Sequence, residues 1–438
     1  MSIADFIKHI QHHVSCNTDT GGLAEVDLFI PPALHDKFNE YPPAPTKMTV
    51  DPAYLSQQQQ NAQAQSKTFV SSPKLVPTLL TKERYVLHWN ALMAFIEMGC
   101  VVTRLHSALS YYQEDYVRPF AQYNISKRSW AKLQGNSLLE QMLKSMTNHL
   151  YGKFAQNKRC YINIKVFKLP RDGVMSTLLT NRLRRCIARN DYQRFVSFDN
   201  LVVVQRKQRT CILTNPIYAA TAILDKSKII MYDLFYNHLQ PHFGIPNLKL
   251  LYTDTDSFYL LFKNCPNIYV ALRSIEERVN GGKPITEAGQ GLFDWSTLNP
   301  SSPFFTNVNV GQAFKFKDEV GDGVITEVIA LRAKMYSITQ FKRDPTSQQG
   351  WKQVAKLAAK GVPRECHKDL DFLTCLLTNE TQRVTFRRII AKKLQLYTQT
   401  QVKVGVSSWL FNDKRYLTRH DDSTQLVESY AIGHKHTL

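Results

Sequence analysis

The chain has 438 residues, 43% of them hydrophobic, which is enough for roughly two to four domains with a substantial core. Lys and Arg number 55 against 36 Asp and Glu, and the resulting net charge of +19 is typical of proteins that bind polyanions. No run of about 18 apolar residues could span a bilayer, and the start, MSIADFIKHIQHH, lacks the features of a secretory signal. We therefore expect an intracellular protein without a membrane segment.

The cysteines predict neither disulfides nor a zinc site. All eight are scattered, without a C-x-x-C pair, and this favours a reducing compartment. Several potential ligands do stand at helical spacing in the stretch HIQHHVSC, namely His9, His12, His13 and Cys16. No second ligand pair follows nearby, so we do not predict a metal site there.

Residues 21–80 are predicted to be irregular. Prolines are frequent in IPPALHDKFNEYPPAP, and QQQQNAQAQS at 57–66 is a polar low-complexity tract. This composition indicates a loop-rich or inserted region.

Two amphipathic helices are predicted to follow. The first begins near Glu83, where apolar residues recur at steps of four, three and four, at Tyr85, Trp89, Leu92 and Ile96. The second runs from about 127 to 150, with its leucines on one side. Two long helices joined by a short polar turn predict a helical hairpin.

Strand-like runs and clustered arginines alternate over residues 160–213. The arginines predict a basic face, although such a charge run also suits an ordinary solvated surface; they are Arg182, Arg184, Arg185, Arg206 and Arg209. A helix is predicted from Ala219 to His238, and strands in VITEVIALRAKMYSIT. Residues 354–404 are predicted to be helical and rich in Lys and Arg.

Two carboxylates stand between two apolar runs in LLYTDTDSFYLLF. The pattern predicts a strand, a tight turn and a strand over 248–262, with Asp254 and Asp256 at the turn. Residues i and i+2 of an extended segment point to the same side, so both carboxylates could share a divalent cation. An ordinary Asp-rich hairpin turn explains the two residues equally well.

A second polar constellation lies in KSMTNHLYGKFAQN at 144–157. On a helix, Lys144, Asn148 and Tyr151 would form a stripe opposite the leucines, and Gly152 follows at once. A lysine can meet a triphosphate, an aromatic ring can stack on a base or sugar, and glycine allows close backbone approach. The alternative is a solvated helix face.

These segments together resemble family B DNA polymerases. KSMTNHLYGKF is similar to the family motif K-x3-N-S-x-Y-G, in the form typical of protein-primed members, and YTDTDS is similar to Y-x-D-T-D-S. Lys334-Met335-Tyr336 is similar to the third palm motif, K-x-Y. The stretches KLVPTLLTKERYVLHWNAL, FKFKDE and NDKRYL resemble, more narrowly, the polymerases of Polinton (Maverick) mobile elements.

The resemblance implies an α+β right-hand fold, two-metal nucleotidyl transfer and several residue roles. Two Mg²⁺ ions, which Mn²⁺ can replace, would be held by Asp256 and, in a supporting position, Asp254. The incoming deoxynucleoside triphosphate would contact Lys144, Asn148, Tyr151 and Gly152. Primer-template DNA would contact Lys153, Ser257, Lys334 and Tyr336.

The resemblance also implies a domain order and partners. Residues 1–80 would be an insertion that contacts a priming terminal protein, 81–155 the fingers, 156–215 a second, basic insertion, 216–340 the palm and 341–438 the thumb. Protein-primed replication of a mobile element or virus-like genome would take place in the nucleus or, as an alternative, the mitochondrion.

The chain departs from the family pattern in two places. His149 stands where the family has Ser in the second motif. The first palm motif, D-x-x-S-L-Y-P, whose Asp bridges both metals, is not recognisable; VDLFIPPAL offers Asp27 without the Ser-Leu-Tyr core. The amino-terminal exonuclease of the family is not recognisable either. The chain therefore resembles the carboxyl-terminal part of a polymerase, and the alternative is a non-catalytic DNA-binding remnant.

Overall fold

Helices and strands are mixed along the chain, as the α+β prediction requires. The computed structural model describes residues 2–16, 18–65, 70–168, 170, 177–198, 200–208, 210–321, 323–344, 346, 350–378, 380–392, 395–408, 412–419 and 427–437. None of the helices described there is both long and apolar enough to cross a membrane. The division into fingers, palm and thumb stays a prediction.

The α-helices are α1 (Ile3–Ser15), α2 (His35–Phe38), α3 (Gln57–Ala64), α4 (Trp89–Glu97), α5 (Arg118–Leu133), α6 (Ser137–Phe154), α7 (Thr177–Ile187), α8 (Ile217–Tyr232), α9 (Gln240–Phe243), α10 (Ile268–Val279) and α11 (Phe372–Thr378). A π-helical segment, Asp233–Leu239, joins α8 to α9.

The strands are β1 (Thr20–Phe29), β2 (Thr46–Met48), β3 (Lys74–Val76), β4 (Lys82–His88), β5 (Val101–Tyr112), β6 (Ile162–Lys168), β7 (Tyr192–Phe198), β8 (Leu201–Lys207), β9 (Leu248–Thr253), β10 (Phe258–Phe262), β11 (Phe293–Asp294), β12 (Phe316–Lys317), β13 (Val324–Arg332), β14 (Met335–Arg343), β15 (Trp351–Ala359), β16 (Gln382–Lys392), β17 (Gln395–Val406), β18 (Arg415–Arg419) and β19 (Val427–Ala431). The three-stranded sheets have the orders β4-β1-β5, β6-β8-β7 and β13-β14-β15, all antiparallel.

The chain divides into two units. The first contains Met1–Tyr116, Ala222–Thr385 and Val402–Leu438, and the second contains Val117–Thr221 and Phe386–Gln401.

Residues 21–80 contain more regular structure than their composition predicted. β1 is the central strand of its sheet, and its alternate residues Ala24, Val26 and Leu28 are buried. Gly22 faces the ring of Trp89, and a Cβ at this position would collide with it, so the close packing of β1 on α4 requires glycine. The prediction of an irregular region is therefore wrong for β1.

The glutamine-rich tract also forms a helix. Ser56 caps α3 in a capping box with Gln59. The Gln59 side chain is fully buried, donates to the carbonyls of Asn412 (2.6 Å) and Arg415 (2.9 Å), and accepts the N–H of Leu417 (3.0 Å). A single satisfied glutamine thus attaches this tract to β18.

The predicted helix near Glu83 begins later than its periodicity suggested. Tyr85 lies in β4, and α4 starts at Trp89, because the His88 imidazole accepts the N–H of Asn90 (3.2 Å) and caps the helix. The helical hairpin is formed instead by α5 and α6, with the left-handed Gly135 in the connecting turn.

The sheet of the second unit packs against α7 around Phe167, Cys186, Val202 and Val204. Arg206 does not join the predicted basic face, because its buried guanidinium makes two hydrogen bonds to Asp191, at 2.6 and 3.0 Å. The exposed members of the cluster are on α7, at Arg182, Arg184 and Arg185. Arg209 lies outside the described residues.

The predicted helix over 219–238 is confirmed as α8 and the π-helical segment. Phe235 and Leu239 of this segment are buried in the main core together with Leu248, the first residue of β9. The core thereby anchors the base of the predicted acidic hairpin.

The helical prediction for 354–404 is wrong. Most of this segment forms β15, β16 and β17, and of its described residues only those of α11 and a short 3₁₀ turn are helical. In β16, Val384 and Phe386 are buried while Arg383, Thr385 and Arg387 are exposed, so the segment alternates with the period of a strand. Lys and Arg at the intervening positions resembled one face of a helix.

Candidate active site

The acidic hairpin predicted over 248–262 is present, with β9 and β10 paired antiparallel. Between them, the N–H of Asp254 donates to the carbonyl of Ser257 (3.3 Å), and the N–H of Asp256 donates to the carbonyl of Asp254 (2.7 Å). Thr255 has a φ of 63°, a left-handed conformation that costs a threonine energy and tightens the turn. The chain therefore holds both carboxylates at the tip.

Both carboxylates are accessible. Asp256 and Thr255 are exposed, and the Asp254 side chain is 42% exposed. The Ser257 hydroxyl is turned inward and donates to the carbonyl of Asp254 (3.3 Å), so Ser257 shapes the turn. An acidic tip of this kind presents its charge to solvent.

Lys334 brings the third motif to this turn. It occupies the tight connection between β13 and β14, with a φ of 60°. Its Nζ lies 3.2 Å from Oδ2 of Asp254, and the two side chains are 57% and 42% exposed. Residues 80 positions apart in sequence are thus in direct contact.

Three tyrosine rings surround the base of the turn. The Tyr336 centroid lies 4.8 Å from that of Tyr252 and 6.2 Å from that of Tyr259. The Tyr252 hydroxyl donates to Oδ2 of Asp254 (3.3 Å). Burial and the neighbouring Asp254 charge raise the pKa of Tyr252 to about 12, so the hydroxyl remains a donor at neutral pH.

A further cation was missed by the sequence reasoning. Nζ of Lys356, in β15, donates to the Tyr259 hydroxyl (3.3 Å), and this hydrogen bond raises the pKa of Lys356. Nothing in the sequence around Lys356 distinguishes it from other strand lysines. A usable signal was the aromatic pair Tyr252 and Tyr259. Each lies two residues outside the Asp254–Ser257 turn.

The turn offers the donors that Mg²⁺ prefers. Asp254 and Asp256 supply carboxylate oxygens, and Thr255 supplies a hydroxyl oxygen, without nitrogen or sulfur. In the part of the chain that the structure describes, no third Asp, Glu, His or Cys lies close enough to complete a three-ligand group here. The residues fit a magnesium site that further ligands would complete.

The predicted nucleotide-binding stripe lies on α6, in the second unit. Lys144, Asn148, Tyr151 and Lys153 are exposed, and Leu143 is buried on the opposite face. Gly152 has no atom within 4 Å of the place where a Cβ would be, so its surface is open. The helix therefore presents the stripe to solvent.

The side chains around the stripe restrain the end of α6. His149 Nδ1 lies 3.0 Å from the Ser145 hydroxyl, one turn earlier, so the residue that departs from the family pattern contacts its own helix. The Asn215 amide donates to the carbonyls of Lys153 (2.9 Å) and Gln156 (3.2 Å) and closes the helix. The acidic turn belongs to the first unit.

In the histidine stretch of α1, the His13 ring centroid lies 4.7 Å from that of His9 and 5.5 Å from that of His12, but no three ligand atoms are mutually close among the described residues. His13 pairs with the Thr18 hydroxyl (2.8 Å), and the Cys16 sulfur lies 3.8 Å from His12. Among the described residues, the one group of three potential ligands with mutually close ligand atoms lies elsewhere, at Asp36, His434 and His436.

Comparison with known proteins gives one family match. Residues 95–240 match the family described as DNA polymerase type B, organellar and viral. Searches of the curated proteins and of the solved structures found no match. The matched segment includes the α6 stripe but neither the acidic turn nor Lys334. It supports a relationship to family B DNA polymerases, the class of nucleotidyltransferases that copies a DNA template during replication.

Proposed function

We propose that this chain carries the metal-binding and nucleotide-binding parts of a protein-primed DNA-directed DNA polymerase. The contact between Lys334 and Asp254 carries the proposal. The family match covers only the motif on α6, and this contact independently unites the two other motifs at one place. By chance, three motifs chosen from sequence alone would rarely include one within a family match and two others in direct contact.

The acidic turn would bind the catalytic cations. We assign Asp256, the more exposed carboxylate, as the principal ligand and Asp254 as its support, with Mg²⁺ or Mn²⁺ as the ion. When bound, the ions would activate the primer 3'-hydroxyl and neutralise the triphosphate. Before they bind, the Lys334 ammonium and the Tyr252 hydroxyl stabilise the charge of Asp254.

The remaining motif residues would position the substrates. Lys334 and Tyr336 would hold the primer terminus beside Asp254, with Ser257 fixing the turn and Lys153 contacting DNA. On α6, Lys144 would bind the triphosphate, while Asn148, Tyr151 and Gly152 would shape the nucleotide pocket. The exposed surface at Gly152 allows a base or a backbone to approach.

The narrower assignment, to protein-primed polymerases of Polinton-like elements, rests on the sequence resemblance alone. The Polinton-like stretches support replication of a mobile element or virus-like genome with a terminal protein as primer. We propose 1–80 as the region that contacts this protein, 81–155 as fingers, 156–215 as a basic insertion, 216–340 as palm and 341–438 as thumb.

A non-catalytic DNA-binding role is the second candidate. The observation that favours it is the lack of a third potential ligand at the acidic turn among the described residues. Two carboxylates on one turn hold two divalent ions poorly, whereas the net charge of +19 supports DNA binding without them.

Primer extension distinguishes the two roles. The assay would use a labelled primer-template, the four deoxynucleoside triphosphates and Mg²⁺ or Mn²⁺. It would compare this chain with a version extended at its amino end by a segment that carries D-x-x-S-L-Y-P. We expect the extended version to incorporate nucleotides. Asp256→Asn in that version should reduce incorporation at least about 100-fold, because removal of a metal ligand costs several kcal/mol in the transition state.

Asp19→Asn is the matched control, because Asp19 is an exposed carboxylate at the start of β1. It should leave incorporation unchanged. If the extended version incorporates nothing and Asp256→Asn leaves DNA affinity unchanged, DNA binding without catalysis is the better account.

A further inference from the structure

A second group of ligand side chains lies at the carboxyl end of the first unit. Asp36 is on α2, and His434 and His436 follow β19. One ligand atom from each residue lies within 4.8 Å of the others. Nearly 400 residues of sequence separate the two segments, so the fold has brought these three side chains together.

The separations suit a tetrahedral ion. Oδ1 of Asp36 lies 3.3 Å from Nε2 of His434 and 3.8 Å from Nε2 of His436. Two ligands that are each about 2.0–2.1 Å from a tetrahedral ion lie about 3.4 Å apart. These two separations would change by only a few tenths of an ångström around the ion, and the ligand atoms of His434 and His436 lie within 4.8 Å of each other.

His434 is buried, and its Nε2 has no hydrogen-bond partner among the described residues. The side chain is 1% exposed, and Nε2 makes no hydrogen bond of acceptable geometry, although Oδ1 of Asp36 is near. A buried polar atom without a partner destabilises the fold. An ion between Nε2 and the carboxylate would remove this cost.

Backbone hydrogen bonds on both sides fix the position of His434. The His434 N–H donates to the Ala431 carbonyl (3.0 Å), and the His434 carbonyl accepts from the N–H and the hydroxyl of Thr437 (2.8 and 2.9 Å). Gly433 precedes it with a φ of 80°, and a Cβ there would meet Leu80 at 2.6 Å. The site is therefore built on a rigid turn.

The hydrogen bonds of the neighbouring residues leave Oδ1 of Asp36 available to bind an ion. Lys435 Nζ binds Oδ2 of Asp36 (2.5 Å), so Oδ1 is the oxygen turned toward the imidazoles. Both nitrogens of His35 are engaged, with the Ile30 carbonyl (3.2 Å) and the Lys435 N–H (2.9 Å), so His35 is not a ligand.

Coordination would require one adjustment. The His436 N–H approaches Nδ1 of His434 at 3.3 Å, and an ion on Nε2 places the ring proton on Nδ1. This contact would then be lost. It is long for a hydrogen bond, so its loss costs little.

We propose that Asp36, His434 and His436 form a zinc site that fastens the carboxyl-terminal segment to α2. Two imidazoles and one carboxylate are ligands that Zn²⁺ binds well, whereas Mg²⁺ prefers oxygen donors alone. Water would take the fourth position. Asn39, one residue beyond α2, already accepts the Ala431 N–H (2.8 Å) and donates to the Ser429 carbonyl (3.1 Å), so the ion would reinforce an existing junction.

Zinc titration of the full chain, freed of metal by chelation, tests this site. Calorimetry should show one equivalent bound, and the thermal unfolding midpoint should rise with zinc. His436→Ala and Asp36→Asn should each weaken binding at least about tenfold and abolish the rise in midpoint. Both side chains are more than half exposed, so these variants should fold; the midpoint without zinc checks this directly.

His12→Ala is the control, because His12 is one of three neighbouring histidines on α1 that could also bind zinc. It should bind zinc as the parent protein does. Unchanged binding in His436→Ala, or lost binding in His12→Ala, would overturn the proposal.

Discussion

Lys334 Nζ lies 3.2 Å from Oδ2 of Asp254, and each of the two residues lies in the turn of a different hairpin. Both residues are partly exposed, so the contact adds little to stability, on the order of 1 kcal/mol or less. Two backbones with a positive φ meet here, at Thr255 and Lys334. We propose that function maintains these strained conformations, because the pair itself is weak.

Lys334→Met should therefore separate activity from stability. In the version extended with the first palm motif, we expect a primer-extension rate at least about tenfold lower, because the primer terminus loses a charged contact. The thermal unfolding midpoint should stay unchanged. Lys317→Met is the control, because Lys317 is also exposed and lies near a carboxylate, Glu319 (3.7 Å). Equal rates in the two variants would contradict the assigned role.

The exposed arginines of α7 should govern the salt dependence of DNA binding. If Arg182, Arg184 and Arg185 each contact a phosphate, changing all three to Ala should reduce the slope of log affinity against log salt by up to about 2.7. Fluorescence anisotropy with a labelled duplex measures this slope. An unchanged slope would show that α7 faces away from DNA.

Glu276 should be a strong determinant of stability in the first unit. Its buried carboxylate accepts the N–H of Leu292 (3.0 Å), the N–H of Phe293 (2.9 Å) and the indole N–H of Trp295 (2.8 Å). Glu276→Gln places an amide N–H₂ against one of these donors. We expect a loss of about 2–4 kcal/mol in urea unfolding.

Glu277→Gln, the next residue on α10, is the control for this change and should stay within about 0.5 kcal/mol of the parent. A loss of the same size in both variants would mean that helix charge, and not the buried hydrogen bonds, is responsible.

Lys82 should make stability increase with pH. It is the buried first residue of β4, its Nζ donates to the Thr78 carbonyl (2.5 Å), and burial lowers its pKa from 10.5 to about 7. Between these two pH values the unfolded chain binds more protons than the folded chain, so the free energy of unfolding rises with pH, by on the order of a few kcal/mol. Lys82→Met should abolish most of this rise.

Urea unfolding at pH 7 and pH 9.5 measures the effect. Lys47→Met, at an exposed lysine, should keep the pH dependence of the parent. A parent protein that is equally stable at both pH values would show that Lys82 stays charged in the fold.

Sequence patterns predicted correctly those helices and strands whose conformation depends mainly on their own residues. The acidic hairpin follows from alternation on both sides of a polar turn, and the helix over 219–238 follows from a long apolar period. Tyr85 was misassigned because a strand that runs directly into a helix can imitate one helical period. Residues 382–392 were misassigned because long basic side chains fit a helix face and a strand edge equally well.

Tertiary contacts account for what the sequence could not predict. The Gln59 amide is satisfied by β18, more than 350 residues away, so its tract appeared to be low-complexity loop. The contacts of Lys356 with Tyr259, and of Asp36 with His434, join segments that no local period relates. Such pairs arise from the packing of whole elements.

We propose above all that the acidic turn of Asp254 and Asp256 holds the catalytic cation. Iron-mediated cleavage tests it most directly: Fe²⁺ replaces Mg²⁺ in the extended version bound to primer-template and a deoxynucleoside triphosphate, and mass spectrometry locates the backbone breaks after ascorbate and peroxide are added. We predict breaks near 254–257 that disappear in Asp256→Asn and persist in Asp19→Asn. No breaks near 254–257, or a pattern that Asp256→Asn leaves unchanged, would contradict this proposal.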